Sequence, residues 1–179
     1  MHTNHPSIRK IRRAANIGFY GSLLIVVLTV AEHYLSRYVW AREIVANDYT
    51  RHLLLTLGLV LSVVDIALIL FTLRKQMPRL RQLDSVDDRL ARYATLIRGS
   101  YIGTLVVTLV VAAAVVISHE NTLIMLLLLL VITLMLQYPN MYKIRADLGL
   151  FDEEMRHLFG DAYISDRSEA TGSEEEDNA

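Results

Sequence analysis

The chain has 179 residues, of which 53% are hydrophobic and 21% charged, and its net charge is −1. In a soluble domain the apolar residues would recur periodically along amphipathic segments, but here they fall into four blocks with the charges between them, which excludes an ordinary soluble domain. The absence of cysteine excludes disulfides, thiol nucleophiles, iron–sulfur clusters and cysteine zinc sites.

The four apolar blocks predict four transmembrane helices. A bilayer core of about 30 Å needs roughly 17 to 25 helical residues to cross it. The blocks extend over about residues 14–35 (span 1), 53–73 (span 2), 101–118 (span 3) and 122–138 (span 4). The predicted fold class is therefore an all-α integral membrane protein with a four-transmembrane-helix bundle.

Span 1 permits a second interpretation. Basic residues, an apolar run and then Thr29–Val30–Ala31 resemble a cleavable signal peptide. The apolar run continues to Leu35, however, and no polar segment precedes Ala31, so we expect span 1 to be retained. Cleavage would instead leave three spans with the new N-terminus outside.

The distribution of Lys and Arg predicts the orientation, because these residues favour cytoplasmic loops. Fifteen of the 18 lie before span 1, between spans 2 and 3, or after span 4, and the other three follow span 1. Tyr and Trp side chains also favour both membrane interfaces, and they lie near the predicted span ends. We therefore predict cytoplasmic N- and C-termini, with a bacterial inner (plasma) membrane as the default location.

The segment of residues 74–100 is predicted to be cytoplasmic and partly helical. Pro78 should end any extension of span 2, because proline lacks an amide donor and crowds the preceding turn. Ser85 followed by Asp88 is a variant of the capping box and predicts a helix start. This helix could lie on the membrane surface or continue straight into span 3. We favour the continuation, because Gly99 and Ser100 are weak breakers in a membrane helix.

The remaining polar parts are a basic N-terminus (residues 1–13), a cytoplasmic segment after span 4 (139–164) and an acidic tail (165–179). Pro139 should end span 4, and short amphipathic helices should follow it, the second of them capped by Asp152 and ended by Gly160. The tail is acidic and poor in apolar residues, so we predict that it is disordered.

Asp65 is the one charge within span 2, and it costs roughly 2.5 to 3.5 kcal/mol on insertion scales, which the surrounding leucines outweigh. It shares a helical stripe with small residues, so we predict that it faces the bundle. Residues at comparable depth, counted at about 1.5 Å per residue, complete a predicted intramembrane polar cluster. Its members besides Asp65 are Ser62 on span 2 and Ser22, Thr108 and Thr133 on the other spans.

Small residues four positions apart predict where helices approach each other closely. Such pairs occur in three spans: Gly18 with Ser22, Gly58 with Ser62, and Gly99 with Gly103. We expect these positions to pack against neighbouring helices.

Histidines and acids at the predicted outer face form a candidate Zn²⁺ site, since imidazole and carboxylate are zinc ligands. They are Glu32, His33, His52, His119 and Glu120. Their spacing matches no compact metal motif, and polar residues are ordinary at helix ends, so we favour interfacial capping and predict no metal and no cofactor.

The chain contains no Walker loop, GxGxxG, HExxH or GxSxG motif with the required partners, and its basic residues flank the spans, so neither an enzyme nor nucleic-acid binding is predicted. We favour a non-catalytic accessory, assembly or regulatory subunit that contacts the lipid bilayer and a membrane protein partner. The alternative is a small proton-coupled transporter that works as a homo-oligomer through Asp65, because a carboxyl group among hydroxyls can be held protonated.

Overall fold

The computed structural model describes residues 6–39 and 47–160, and every regular element in these two ranges is helical, which confirms the all-α prediction. The elements are α1 (Pro6–Tyr34), which continues as a π-helical turn (Leu35–Val39), α2 (Asp48–Arg81), α3 (Val86–Ser118), α4 (Asn121–Leu136), α5 (Met141–Leu148) and α6 (Asp152–Phe159). Residues 1–5, Trp40 with the rest of 40–46, and the acidic tail predicted to be disordered lie outside the described residues.

Three of these helices are long and apolar enough to cross a membrane. α1, α2 and α3 have 29, 34 and 33 residues, and so measure about 44 to 51 Å at 1.5 Å per residue. α4 has 16 residues and is followed, after a bend of 75°, by α5, and this bent pair qualifies as a fourth span. The described chain therefore has three to four helices that could span a bilayer.

The helices are held together by two clusters of buried apolar side chains around α3, which packs against α1, α2 and α4. The outer core lies between the spans and comprises Val26, Val111, Ala112, Ala114, Val115, Leu123, Leu127 and Leu130. The inner core lies at the other end of the bundle and comprises Ile8, Ile11, Ala15, Met77, Leu80, Leu90, Tyr93, Ile97, Tyr101, Leu134, Met141, Ile144, Leu148, Leu150, Met155, Leu158 and Phe159.

The N-terminal basic residues belong to α1 and not to a separate segment before it. The helix begins at Pro6, eight positions before the predicted start of span 1. Proline is favoured at the first helical position, because its fixed φ suits the helix and its missing N–H would have no partner there. Ile8 and Ile11 then enter the inner core, so packing extends the helix beyond its apolar run.

The prediction that Pro78 ends the second helix is wrong, because α2 continues through Pro78 to Arg81. Proline removes one helical hydrogen bond, and the carbonyl that loses its donor belongs to the exposed residue Arg74, where solvent can replace it. Met77 and Leu80 are buried in the inner core on either side of Pro78. The free energy gained by burying Met77 and Leu80 outweighs the cost of the helical hydrogen bond that Pro78 removes.

The third helix is continuous from Val86 to Ser118, which confirms the straight extension and not a surface helix. Ser85 is its N-cap residue, as predicted, but its side chain makes no capping hydrogen bond. Gly99 and Ser100 lie within the helix. His119 ends it in the left-handed conformation, with φ 53°.

Two short helices follow α4 and close the inner core. The Asn140 side chain caps α5 by accepting a hydrogen bond from the backbone N–H of Lys143 at 2.7 Å. Gly149, with φ 63°, ends α5 in the left-handed conformation that suits glycine. The prediction that Asp152 caps α6 is wrong by one residue: Phe151 is at the cap, and its N–H donates to the Glu154 carboxylate at 2.8 Å.

Helices α1 and α3 approach each other closely at Gly18 of α1. A Cβ atom added there would lie 2.7 Å from the Cβ and 2.6 Å from a ring carbon of Tyr101, which is fully buried in α3. Only glycine allows this separation, because the atoms next to it belong to a side chain that has no room to move.

We expect Gly18→Ala to lower the stability of the protein in detergent by about 1–3 kcal/mol, because the added methyl overpacks the contact with Tyr101. Gly99→Ala is the matched control, since a Cβ atom there meets nothing within 4 Å. The measurement is thermal unfolding of the two variants followed by circular dichroism. Equal melting temperatures would show that α1 and α3 do not meet at Gly18.

Candidate functional site

Asp65 lies at the middle of α2 and faces the interior of the bundle. Its side chain is 8% exposed, and it is the one carboxyl group among the buried side chains of the described residues. The hydroxyl of Thr104 on α3 donates a hydrogen bond to Oδ2 of Asp65 at 2.8 Å. The acid therefore joins two helices through a direct polar contact.

Small residues make room for this contact. A Cβ atom added at Gly103, next to Thr104, would lie 3.7 Å from Oδ1 of Asp65, so the carboxyl group packs against the backbone of α3. On α2 itself, the buried Ser62 hydroxyl donates to the carbonyl of Gly58 at 2.8 Å, one turn away. Ser62 therefore satisfies its own hydroxyl and does not reach Asp65.

The three other hydroxyls predicted to surround Asp65 have different environments. Thr108 donates to the carbonyl of Thr104 at 2.8 Å, and Thr133 donates to the carbonyl of Leu129 at 2.9 Å, each within its own helix. The Ser22 side chain is fully buried, and its hydroxyl has no hydrogen-bond partner among the residues that the structure describes. None of the three is hydrogen-bonded to Asp65. The hydroxyl that donates to Asp65 is that of Thr104.

Sequence reasoning missed Thr104 by one helical turn. Depth was counted from the predicted span ends, but α2 begins at Asp48 and α3 extends for 33 residues without a break at the membrane boundary. An error of four residues shifts a position by about 6 Å along the helix. The available signal was Gly103, because a small residue beside a threonine marks a place where a polar contact can form.

The predicted small-residue pairs differ in their surroundings. Gly18 contacts Tyr101, and a Cβ atom at Gly58 would lie 2.6 Å from a terminal methyl group of Leu123 on α4. Gly103 faces Asp65, whereas Gly99 is exposed and has no neighbour within 4 Å. Close approach thus occurs at three of these glycines and not at Gly99.

At the outer end, polar side chains connect helices in pairs. Nε2 of His33 lies 3.0 Å from the side-chain oxygen of Asn121, which joins α1 to α4. The guanidinium of Arg51 on α2 forms an ion pair with the Glu120 carboxylate at 2.8 Å. The rings of His33 and His119 are 5.7 Å apart between centroids.

The other two members of the candidate zinc set are arranged differently. Glu32 accepts a hydrogen bond from the Ser36 hydroxyl at 2.5 Å within the first helix, and His52 is exposed. Across residues 6–39 and 47–160, no three His, Asp or Glu side chains are close enough to hold one metal ion. The outer residues that meet therefore connect the ends of helices.

The chain matches no family model, no curated protein and no solved structure. Its class is defined by its architecture: an all-helical protein with three to four helices long and apolar enough to cross a membrane. The buried Asp65–Thr104 contact and the packed inner core are the features from which a function can be inferred.

We expect Thr104→Val to destabilise the protein by about 1–3 kcal/mol, because it leaves the buried Asp65 without its hydrogen-bond donor. Thr133→Val is the matched control: its hydroxyl donates to its own helix, so it should change stability by less than about 0.5 kcal/mol. Thermal unfolding in detergent measures both. The double variant Asp65→Leu/Thr104→Val should recover part of the loss, and no recovery would argue against a direct contact.

Proposed function

We propose that the chain is a multi-pass membrane protein that crosses the bilayer four times, with both ends in the cytoplasm, and serves as a non-catalytic accessory, assembly or regulatory subunit. The single observation that carries this proposal is the inner core, which extends the bundle beyond the apolar spans into a packed layer of α5, α6 and the inner ends of α1, α2 and α3. We call this layer the cap.

Exposed apolar side chains support insertion in a bilayer. Leu28, Leu68 and Leu109, on three different helices, are 60%, 59% and 59% exposed, and many other leucines and valines of the long helices are exposed with them. Soluble proteins rarely expose apolar patches larger than a few hundred Å². In a bilayer the same side chains contact lipid, which removes the cost of exposure.

The packing supports a common side for the basic segments. The inner core joins the start of α1, the end of α2, the start of α3 and the helices after α4, and these are the segments that carry most of the basic residues. The opposite end holds the contacts of His33 with Asn121 and of Arg51 with Glu120. Under the rule that cytoplasmic loops are rich in Lys and Arg, the cap is cytoplasmic.

Polar contacts hold the helices of the cap together. The Arg81 guanidinium at the end of α2 donates to the backbone carbonyls of Ala146 and Asp147 at 2.6 and 3.1 Å. The hydroxyl of the buried Tyr93 donates to the Asp147 carboxylate at 2.8 Å. Burial, reinforced by the neighbouring Asp147 charge, raises the pKa of Tyr93 far above its ordinary value, so this phenol remains a donor. Arg145 also pairs with Asp152 at 2.8 Å.

The cap carries an acidic groove of about 440 Å³ between the start of α3 and α6. Asp87, Glu153 and Glu154 line it together with His157, and Leu158 supplies an apolar wall. A surface of this kind suits a basic segment of a partner protein, since complementary charge directs association. A rigid cap with a charged groove is what an accessory subunit needs in order to hold a partner at the membrane.

The alternative, a homo-oligomeric proton-coupled transporter, is favoured by the position of Asp65 at mid-helix. Intramembrane acids are functional candidates in general. Here the carboxyl group is hydrogen-bonded to Thr104, and no second acid is buried in the described part of the chain. Proton transport across the bilayer needs further proton-carrying groups besides Asp65. The accessory role therefore has the better support.

The topology can be tested by single introduced cysteines, because the chain has none of its own. We expect Tyr49→Cys, at the exposed start of α2, to react with a membrane-impermeant maleimide in intact cells. Asp84→Cys, after the end of α2, should react only once the membrane is permeabilised. The reverse pattern would invert the orientation, and equal labelling would show that α2 does not cross.

The accessory role predicts an unlike protein in stoichiometric amount when the chain is extracted from membranes in a mild detergent and its partners are identified by mass spectrometry. Glu153→Arg should reduce recovery of this partner several-fold, because it reverses a charge in the acidic groove. Asp88→Arg is the matched control: it makes the same reversal in the first turn of α3 but does not line the groove.

Recovery of a homo-oligomer without an unlike partner would contradict the accessory role. Proton flux into vesicles that contain the purified chain, abolished by Asp65→Asn, would then establish the transporter. An accessory protein should tolerate Asp65→Asn, because the amide oxygen can still accept the hydrogen bond from Thr104.

A further inference from the structure

A second groove, of about 600 Å³, lies between α1 and α3 and shares no lining residue with the acidic groove. Its volume falls within the range of roughly 300–1,000 Å³ typical of small-molecule sites. Three basic side chains line it: Lys10 and Arg13 from α1 and Arg98 from α3. Cations from two different helices therefore surround one concavity.

No acidic residue within 6–39 or 47–160 neutralises the charge of this groove. All three basic side chains are exposed, and within the described chain none of them forms an ion pair with an acid. The acids nearest to the groove along α3, Asp87 and Asp88, belong to its first turn and do not line it. The groove therefore has a net positive charge and takes an anion.

Along α1 the lining of the groove changes from polar (Ser7, Lys10 and Arg13) to apolar (Ala14 and Ile17), and α3 adds Ala91 and Ala94 nearer to its first turn. Arg98 lies one turn before Tyr101, which contacts Gly18, so Arg98 is about level with Ala14 and close in depth to Arg13. Ile17, one turn deeper, lines the far end and is 59% exposed. The basic end thus faces the inner boundary, and the apolar end is continuous with the lipid-facing surface of α1.

We propose that this groove binds the phosphate group of an anionic phospholipid from the inner leaflet, with one acyl chain lying along Ile17. Basic pockets between membrane helices on the cytoplasmic side are suited to lipid headgroups. A free phosphate ion would satisfy the three cations but would leave the apolar end unused. The order of charge and hydrophobicity along the α1 side of the groove is the order within a phospholipid, which favours the lipid as the source of the phosphate.

The test is native mass spectrometry of the full chain in mild detergent, titrated with phosphatidylglycerol and, separately, with phosphatidylcholine. We expect preferential binding of phosphatidylglycerol by the wild-type chain. The triple variant Lys10→Gln/Arg13→Gln/Arg98→Gln should weaken it by about fivefold for each cation removed, or roughly 100-fold in total. The zwitterionic lipid should bind equally weakly to both chains.

The matched control removes three positive charges on the same side of the membrane, at positions that do not line the groove. Arg74→Gln/Lys75→Gln/Arg79→Gln alters three exposed cations near the end of α2, none of which lines the groove. This variant should keep phosphatidylglycerol binding within about twofold of the wild type. Equal losses in the two triple variants would show that lipid responds only to the total surface charge, and would overturn the proposal.

Inorganic phosphate distinguishes the two sources of the anion. Millimolar phosphate should not displace phosphatidylglycerol, and efficient displacement would mean that the groove takes a free phosphate and that the lipid assignment is wrong.

The proposal rests on the bilayer insertion proposed above, which the Tyr49→Cys and Asp84→Cys labelling checks independently. Failed labelling would overturn both proposals, whereas correct labelling with unselective lipid binding would overturn the lipid site alone.

Discussion

The bundle depends on one side chain, Tyr101, which connects three helices at the level where the spans meet the cap. Its ring is fully buried and lies against Gly18 of α1, where no larger residue fits. Its hydroxyl donates to the backbone carbonyl of Leu134 on α4 at 3.1 Å. A buried tyrosine normally finds a partner for its hydroxyl, and here that partner is close to the end of the last apolar helix. The inner core is assembled around this point.

The cap follows from the fact that α1, α2 and α3 continue past the apolar spans without a break. Each carries its apolar stripe beyond the predicted span, and α5 and α6 cover the resulting surface. The chain can turn back to do so because α4 ends at Leu136 and α5 leaves it at 75°. Arg81 then satisfies two backbone carbonyls at the end of α5, which fixes the short helices to a long one. A packed layer at this end of the bundle is therefore a consequence of helix continuation.

Much of the fold could be predicted from the sequence because bilayer insertion depends on local composition: the apolar blocks locate the long helices, and Gly149 and Gly160 mark the ends of the short ones. Features that depend on tertiary packing could not be predicted from the sequence. Pro78 is tolerated within α2 because Met77 and Leu80 are buried beside it. Rules based on the local sequence do not include this burial. The candidate site shows the same division, since the inward direction of Asp65 follows from its neighbours on α2. Which residue of α3 becomes its partner depends on the relative position of α2 and α3 along their axes, and that position places Thr104 beside Asp65.

The basic residues at the inner end have two proposed roles, and these depend on different properties. Orientation depends on how many Lys and Arg lie on each side, and removing the three in the α1–α3 groove would still leave twelve on the predicted cytoplasmic side against three on the other. Recognition of a phosphate group depends instead on where the cations lie, because only side chains that surround one concavity act together on one anion. Substitution of the groove residues is therefore expected to abolish the proposed lipid contact without inverting the protein, so the two proposals concern separable properties of the same set of charges.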